Sequence, residues 1–382
     1  MAERFSGSSV HLDVEAGKNP AHEIPRPDTP FQLLVVGDFS GRVNRALHAP
    51  LSGRRPLAVD CDNLDDALAQ MGAALNLAQV TAQMTLRFRE LDDFSPDRIY
   101  RTAEPFRKLA ELRDQPSRDP SPAPKPAGAP GKPLELELGR SLLDQMMEAE
   151  EAPSPVRARA RDPLAEFIER AVAPHLEKSD PGKQRWSERV DATAGELMRA
   201  VLHNPDFQTI ESAWRAVQML VQRLDPDTEL KIYLLDATLR ELLDDPQGFV
   251  ECLAASSEPW AAIVGNFAFG PSAEDAAGLR TLGRIAAAIG APFLAESQPP
   301  SDAEPGSDWT ALRKSAEARW IGLALPRFLL RLPYGKDTSE VESFAFEEMP
   351  RSVHAHYLWG NPAFACACLL GEAFRNEGWN LR

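Results

Sequence analysis

Residues 31–42 read FQLLVVGDFSGR, an apolar run that breaks at Gly37 and gives way to an acid, a hydroxyl and a base. Three chemistries share that outline; spacing rejects two of them and missing companion segments the third. A phosphate loop needs G-x-x-x-x-G-K-[ST], in which backbone N–H groups curl round phosphate while a lysine and a hydroxyl complete the site. Counted from Gly37, the places of the second glycine and the lysine hold Arg42 and Val43. A nucleophile elbow needs G-x-S-x-G, so that a strained turn lifts the serine above the sheet. Here Ser40 stands one residue too late. Asp38-Phe39-Ser40 is near the D-F-G metal-binding element of kinases, but no glycine loop or H-R-D segment precedes it. A buried strand over 33–36 that ends in a turn is what remains.

Alternating patterns on either side build on that strand. Upstream, Val10, Leu12 and Val14 alternate with His11 and Asp13, the period of a half-buried strand. Downstream, Asp62 or Asn63 is placed to cap a helix with Leu64, Ala67, Leu68 and Met71 on one face. Residues 84–88, MTLRF, read as a third strand, and 105–113 as a helix. Seven prolines then fall between 116 and 133 with almost no large apolar residue, the composition of an extended linker. Beyond Arg161 the pattern resumes with a helix over 206–223 that turns Phe207, Ile210, Trp214, Val217 and Leu220 or Val221 inward. A strand over 231–235, a helix opening at Thr238, a strand over 260–264, a helix over 273–289 with Leu279, Leu282 and Ile285 inward, and a strand from 292 follow. Strands alternating with helices imply a largely parallel sheet covered by helices. The expected class is α/β: a small α/β domain over 1–113, a linker over 114–160 with a short helix near 141–149, and a larger, mostly parallel sheet domain over 161–382.

Composition narrows the function classes. Arg and Lys number 42 against 57 Asp and Glu, so the net charge of −15 over 382 residues repels a nucleic-acid backbone. The run Arg157, Arg159 and Arg161 reads as a solvated segment of the linker. No apolar run approaches the roughly 20 residues of a membrane helix, and residues 1–9 lack the apolar core of a signal peptide. A cytoplasmic location and no membrane insertion are expected. The four cysteines, Cys61, Cys252, Cys366 and Cys368, include one C-x-C pair and no second pair for zinc, and read as small buried residues. The histidines form no H-x-x-x-H array. No catalytic residue, cofactor site or metal site is expected. Residues 264–270, VGNFAFG, also lack the dinucleotide fingerprint G-x-G-x-x-G.

The conspicuous side chains read as structural. Arg327 and Arg331 are four apart between Pro326 and Pro333, a spacing that puts both on one face of a short helix, where Glu347 and Glu348 can meet them as ion pairs. An anion site is the alternative. Asp92-Asp93 and Glu347-Glu348 are adjacent and point apart in regular structure, which assigns them to caps and salt bridges. Trp214, Trp320 and Trp359 lie in apolar surroundings and are expected in the core. After the linker, Ser141 can cap a helix whose Leu142, Leu143, Met146 and Met147 form an apolar stripe. The stripe either docks on its own protein or is offered to a groove elsewhere.

Several segments in succession resemble the contractile sheath of bacterial type VI secretion. Residues 31–113 are similar to the small sheath subunit in the run into Gly37-Asp38-Phe39-Ser40-Gly41, in Arg55-Pro56-Leu57, in Asp62-Asn63-Leu64 and in FRELDDFSPD over 88–97. From about 161 the chain resembles the large subunit. The matching pieces are Phe207 with ESAWR over 211–215, Trp309 with Leu312-Arg313, LPRFLLRLPYG over 325–335, Phe346-Glu347-Glu348 and Leu358-Trp359-Gly360-Asn361. The resemblance implies a structural protein of a helical tube that shortens and drives an inner tube outward, with other sheath subunits, the inner tube protein or the baseplate as partners. It implies that Val10, Leu12 and Val14 form an edge exchanged with a neighbour. It also implies that Leu142, Leu143, Met146 and Met147 are gripped by an AAA+ ATPase that dismantles the sheath. Fusion through the proline-rich segment departs from the family, as does the ending at 382, where the family's large subunit continues with further strands. A chain without them is expected to initiate, cap or terminate a sheath, or to need a second polypeptide. An α/β enzyme or nucleotide-binding protein that reuses the sheath fold is the rival reading.

Overall fold

The computed structural model describes residues 25–78, 80–81, 84–114, 183–298 and 306–380. The strand at Val10, Leu12 and Val14, the proline-rich segment and the helix at Leu142, Leu143, Met146 and Met147 lie outside the described residues. Two compact units divide the chain, one of residues 1–107 with 194–382 and one of 108–193.

The opening apolar run becomes β1, Phe31–Gly37, buried at every position. Seven consecutive buried residues need cover on both faces, and β1 lies inside a sheet. With β2 (Leu57–Val59), β5 (Leu230–Asp236), β6 (Trp260–Phe269), β7 (Phe293–Ser297) and β8 (Ile321–Ala324) it forms the order β2-β5-β1-β6-β7-β8. All neighbours are parallel except β2, which runs antiparallel to β5. The sheet therefore crosses the proline-rich segment, since β1 and β2 precede it and the other strands follow.

Helices cover both faces. Leu34 and Val36 share a core with Leu279, Leu282 and Ile285 of the helix Ala273–Ile289 and with Phe249 and Leu253 of the helix Pro246–Ala254. On the other face Phe31 stacks on Phe374 of the helix Pro362–Glu377, with ring centroids 4.7 Å apart. The helix Pro205–Leu224 packs against this last helix and buries Phe207, Ile210, Trp214, Val217, Leu220 and Val221 on the face the periodicity predicts. Helix starts follow the expected chemistry. Thr238 and Glu241 form a reciprocal capping box, and Ser272 accepts from the Asp275 N–H. The Asn63 side chain instead accepts from the Asp60 N–H and makes no cap contact.

A smaller ribbon accompanies the sheet. β3 (Ala74–Asn76) and β4 (Thr85–Arg87) pair antiparallel, and Met84, Leu86 and Phe88 point inward. The helices Pro96–Thr102 and Glu104–Asp114 follow. Gly41 joins this ribbon to the end of β1. Its φ is +78°, and a side chain there would collide with the Ala74 carbonyl oxygen, so the position has room for glycine alone. In the second unit the Trp186 Nε1–H donates to the Leu112 carbonyl at 2.9 Å, and Arg113 meets Asp191 at 3.1 Å.

Besides the cap at Asn63, three expectations fail. Residues 325–333 form no helix. The Leu325–Pro326 peptide is cis, and Phe328–Leu329 is a short strand, β9, paired with Trp359–Gly360, β10. Only Trp214 of the three tryptophans is fully buried, while Trp320 and Trp359 are half-buried. Cys61 is exposed and Cys366 half-buried, so the cysteines are not uniformly core residues.

Candidate functional site

An open α/β sheet admits nucleotides beyond the carboxyl ends of its strands. At that place this protein puts its own charges. The turn after β1 is held from within by the Asp38 carboxylate, which accepts the backbone N–H of Arg42 at 2.6 Å and of Val43 at 2.9 Å. It is held from the side by Asp236 at the end of β5, whose carboxylate takes the N–H groups of Phe39 and Ser40 and the Ser40 hydroxyl, the last at 2.7 Å. Arg42 then spans Asp236 at 3.3 Å and Glu241 at 2.7 Å, and Arg54 reaches the same Glu241 oxygen at 2.7 Å. Hydroxyl, acid and base of the GDFSGR stretch are all consumed in fixing the turn. Burial alone would raise the Glu241 carboxyl, but Arg54, Arg42 and the Thr238 N–H hold it at about 2. Burial pushes the Asp38 carboxyl up against the hydrogen bonds that lower it.

A second charge cluster lies where Pro205–Leu224 meets the stretch after β9. Glu211 is fully buried and faces Arg331 at 2.8 Å and Arg215 at 2.6 Å. The other side of Arg331 meets Glu348 at 2.7 Å, and its guanidinium lies 4.3 Å from the Tyr334 ring centre. Burial opposes the charge of Glu211, yet Arg331 and Arg215 hold its carboxyl below the usual range. Burial beside Glu211 pushes the Tyr334 hydroxyl up to about 12.

The four structural ion-pair candidates separate. Arg331 and Glu348 meet. Arg327 turns away to Glu296 at 2.5 Å, and Glu347 accepts the Lys336 N–H at 3.0 Å. The Arg331 cluster has two carboxylates for its central guanidinium, which leaves no cationic vacancy for an anion. Glu211, Asp236 and Glu241 are the members that sequence reasoning missed. Asp92 and Asp93 face Arg98, and Asp93 closes a capping box with Glu90. Among the described residues no group of three or more His, Cys, Asp or Glu is placed to hold a metal ion. Nor is any helix there long and apolar enough to cross a membrane.

At the edge of the Arg331 cluster the rings of His203 and His356 stack with centroids 3.9 Å apart. Burial, then the neighbouring His356, Arg199 and Arg331, lowers the His203 imidazole to about 4 from 6.5. The unfolded chain therefore binds a proton that the folded chain refuses between these values, and stability falls as pH drops from 6.5 to 4. Glu241, depressed from 4.5 to about 2, contributes stability above 4.5 that is lost as pH falls towards 2. Thermal melts of His203→Phe should decline less than those of the parent chain between pH 6.5 and 4, with parallel curves only below about 4; equal slopes in the upper window would contradict this assignment.

Fold and charges together define an α/β body built from two sequence regions, with the carboxyl ends of β1 and β5 sealed by ion pairs. Two protein families account for the two regions. Residues 10–117 match the family "Type VI secretion system, VipA, VC_A0107 or Hcp2", and residues 184–256 and 302–382 match "EvpB/VC_A0108, tail sheath N-terminal domain". One polypeptide thus carries in succession a region that matches the small-subunit family of the type VI secretion sheath and a region that matches the large-subunit family. It is 32% identical over 226 residues to the type VI secretion system sheath protein TssC1 of Pseudomonas aeruginosa, covering 50% of this chain and 45% of that protein. It is 31% identical over 93 residues to the sheath protein TssB1 of the same organism, covering 22% of this chain and 54% of that one. The chain spans about half the length of the curated relatives it matches.

Proposed function

We propose that this chain is a structural component of the type VI secretion contractile tail, acting in the bacterial cytoplasm and assembling with other sheath subunits and with the inner tube or baseplate. The observation that carries the reading is the succession of both sheath sequences in one chain whose strands share one sheet. Its chemistry agrees, because the sheet ends that serve nucleotide enzymes are closed by Arg42, Arg54, Asp236 and Glu241. Val10, Leu12 and Val14 offer a strand to a neighbouring subunit, and Leu142, Leu143, Met146 and Met147 offer an apolar stripe to an AAA+ ATPase. The regions 1–113 and 161–382 act as the small-subunit and large-subunit parts, with 114–160 between them.

The test is co-expression of the tagged chain with separate small and large sheath subunits, followed by affinity capture and electron microscopy of the captured material. Sheath subunits retained with the chain in ordered particles are expected. Capture of none of them, or saturable stoichiometric binding of ATP or GTP, overturns the reading. In the same material, Leu143→Asp with Met146→Asp should abolish retention of the ATPase, since charge would be buried without a partner. An unchanged melting temperature is expected with it. A lowered melting temperature with unchanged retention assigns the stripe to the protein's own core.

A further inference from the structure

The ribbon of β3 and β4 has two outer edges, and the chain treats them differently. Hydrogen bonds from the Phe88 N–H to the Ala73 carbonyl and from the Leu77 N–H to the Met84 carbonyl set the phase of the ladder. With Ala74 opposite Arg87 and Asn76 opposite Thr85, the main-chain groups of these four residues point outward. On the β3 side they are used: the Ala74 N–H donates to the Ser40 carbonyl, and the Asn44 side chain both accepts the Asn76 N–H and donates to its carbonyl. On the β4 side the N–H and C=O groups of Thr85 and Arg87 have no hydrogen-bond partner among the described residues.

A hollow of about 220 Å³ adjoins β4, lined by Thr85, Leu86, Arg87 and Phe88 together with Asp93, Ile99, Thr102 and Ala103. It is smaller than the roughly 300–1,000 Å³ of small-molecule pockets, and two of its lining residues, Thr85 and Arg87, carry the outward row of main-chain donors and acceptors. Such a row accepts an extended chain as an added strand. Charge narrows the occupant. Arg87 and Arg89 are exposed, two apart and so on one face, and neither forms an ion pair among the described residues. Asp93, the one carboxylate in the lining, already accepts the N–H groups of Arg89 and Glu90.

We propose that the outer edge of β4 is a docking site for an acidic extended segment of a partner polypeptide, which joins the ribbon as a third strand. Main-chain bonds to Thr85 and Arg87 hold the segment in place, and carboxylates at alternate positions meet Arg87 and Arg89. The proposal rests on the local geometry alone and stands apart from the sheath reading; the edge concerned is a receiving one, distinct from the strand at 10–14.

The test uses the full chain with two capped heptapeptides, VEVEVEV and VKVKVKV, read by fluorescence anisotropy and by residue-resolved hydrogen exchange. VEVEVEV should bind and slow exchange of the Thr85 and Arg87 amides, while VKVKVKV binds about tenfold more weakly or not at all. Arg87→Glu with Arg89→Glu, both surface changes that leave Met84, Leu86 and Phe88 in place, should reverse the preference. Equal binding of both peptides, no binding of VEVEVEV, binding that leaves those two amides unprotected, or full protection of them in the chain alone would each overturn the proposal.

Discussion

Replacing Arg331 by alanine is expected to cost about 3–5 kcal/mol of stability, the price of breaking a buried ion pair by removing one partner. Arg331 alone reaches both Glu211, fully buried, and Glu348, 1% exposed, through four nitrogen-to-oxygen contacts of 2.7–3.2 Å. Without it, among the described residues, Glu211 keeps Arg215, and Glu348 keeps the Tyr334 N–H at 2.7 Å with the His203 imidazole 3.9 Å away. Neither carboxylate can recover water where it sits. Arg331→Lys should fall between the two, because an ammonium retains the charge but cannot present a planar fork to two carboxylates at once. Urea unfolding of the three proteins gives the order: parent, then Lys, then Ala. A loss below about 1 kcal/mol for Arg331→Ala, the range of exposed pairs, would mean that water enters the cluster.

Half of this cluster, Arg331 with Glu348, was legible in the sequence, and how Glu211 escaped it explains the limit of what could be read there. β1 was legible because a parallel strand covered on both faces must be apolar throughout, and the helices over 205–224 and 273–289 because their buried faces repeat at helical spacing. Those signals are local. The near partner of Arg331, Glu348, is 17 residues on and within reach of the sequence, but Glu211 lies 120 residues away and the partner of Ser40 lies 196 away, with nothing near either residue to announce them. Pro326 misled for a related reason. A proline's fixed φ suits the first turn of a helix and an extended segment equally, and only the pairing of β9 with β10 decides between them. Motif spacing could exclude phosphate loops and nucleophile elbows at GDFSGR, but it could not supply Asp236 and Glu241, which the fold brings to the turn.

Trp214→Ala is the second large effect expected, about 3–5 kcal/mol for deleting a fully buried aromatic side chain. This residue is unlike other core positions because it serves the opening turn directly. Its Nε1–H donates to the Phe39 carbonyl at 2.8 Å, and its ring meets the Phe39 ring edge-on with centroids 5.5 Å apart. Phe39 is thus gripped at both polar groups, its N–H by Asp236 and its carbonyl by Trp214. The gripping residues lie in the region that matches the large-subunit family and the gripped turn in the region that matches the small-subunit family, so the two depend on each other for a defined end to β1. Trp214→Phe separates packing from hydrogen bonding. Most of the ring volume stays, while the buried Phe39 carbonyl loses its donor, at a cost of about 1–3 kcal/mol. The expected order of urea midpoints is parent, then Phe, then Ala. If Phe and Ala lose equally, the hydrogen bond carries the effect; if Phe loses nothing, water replaces the indole donor and the turn is held by Asp38, Asp236 and Arg42 without it.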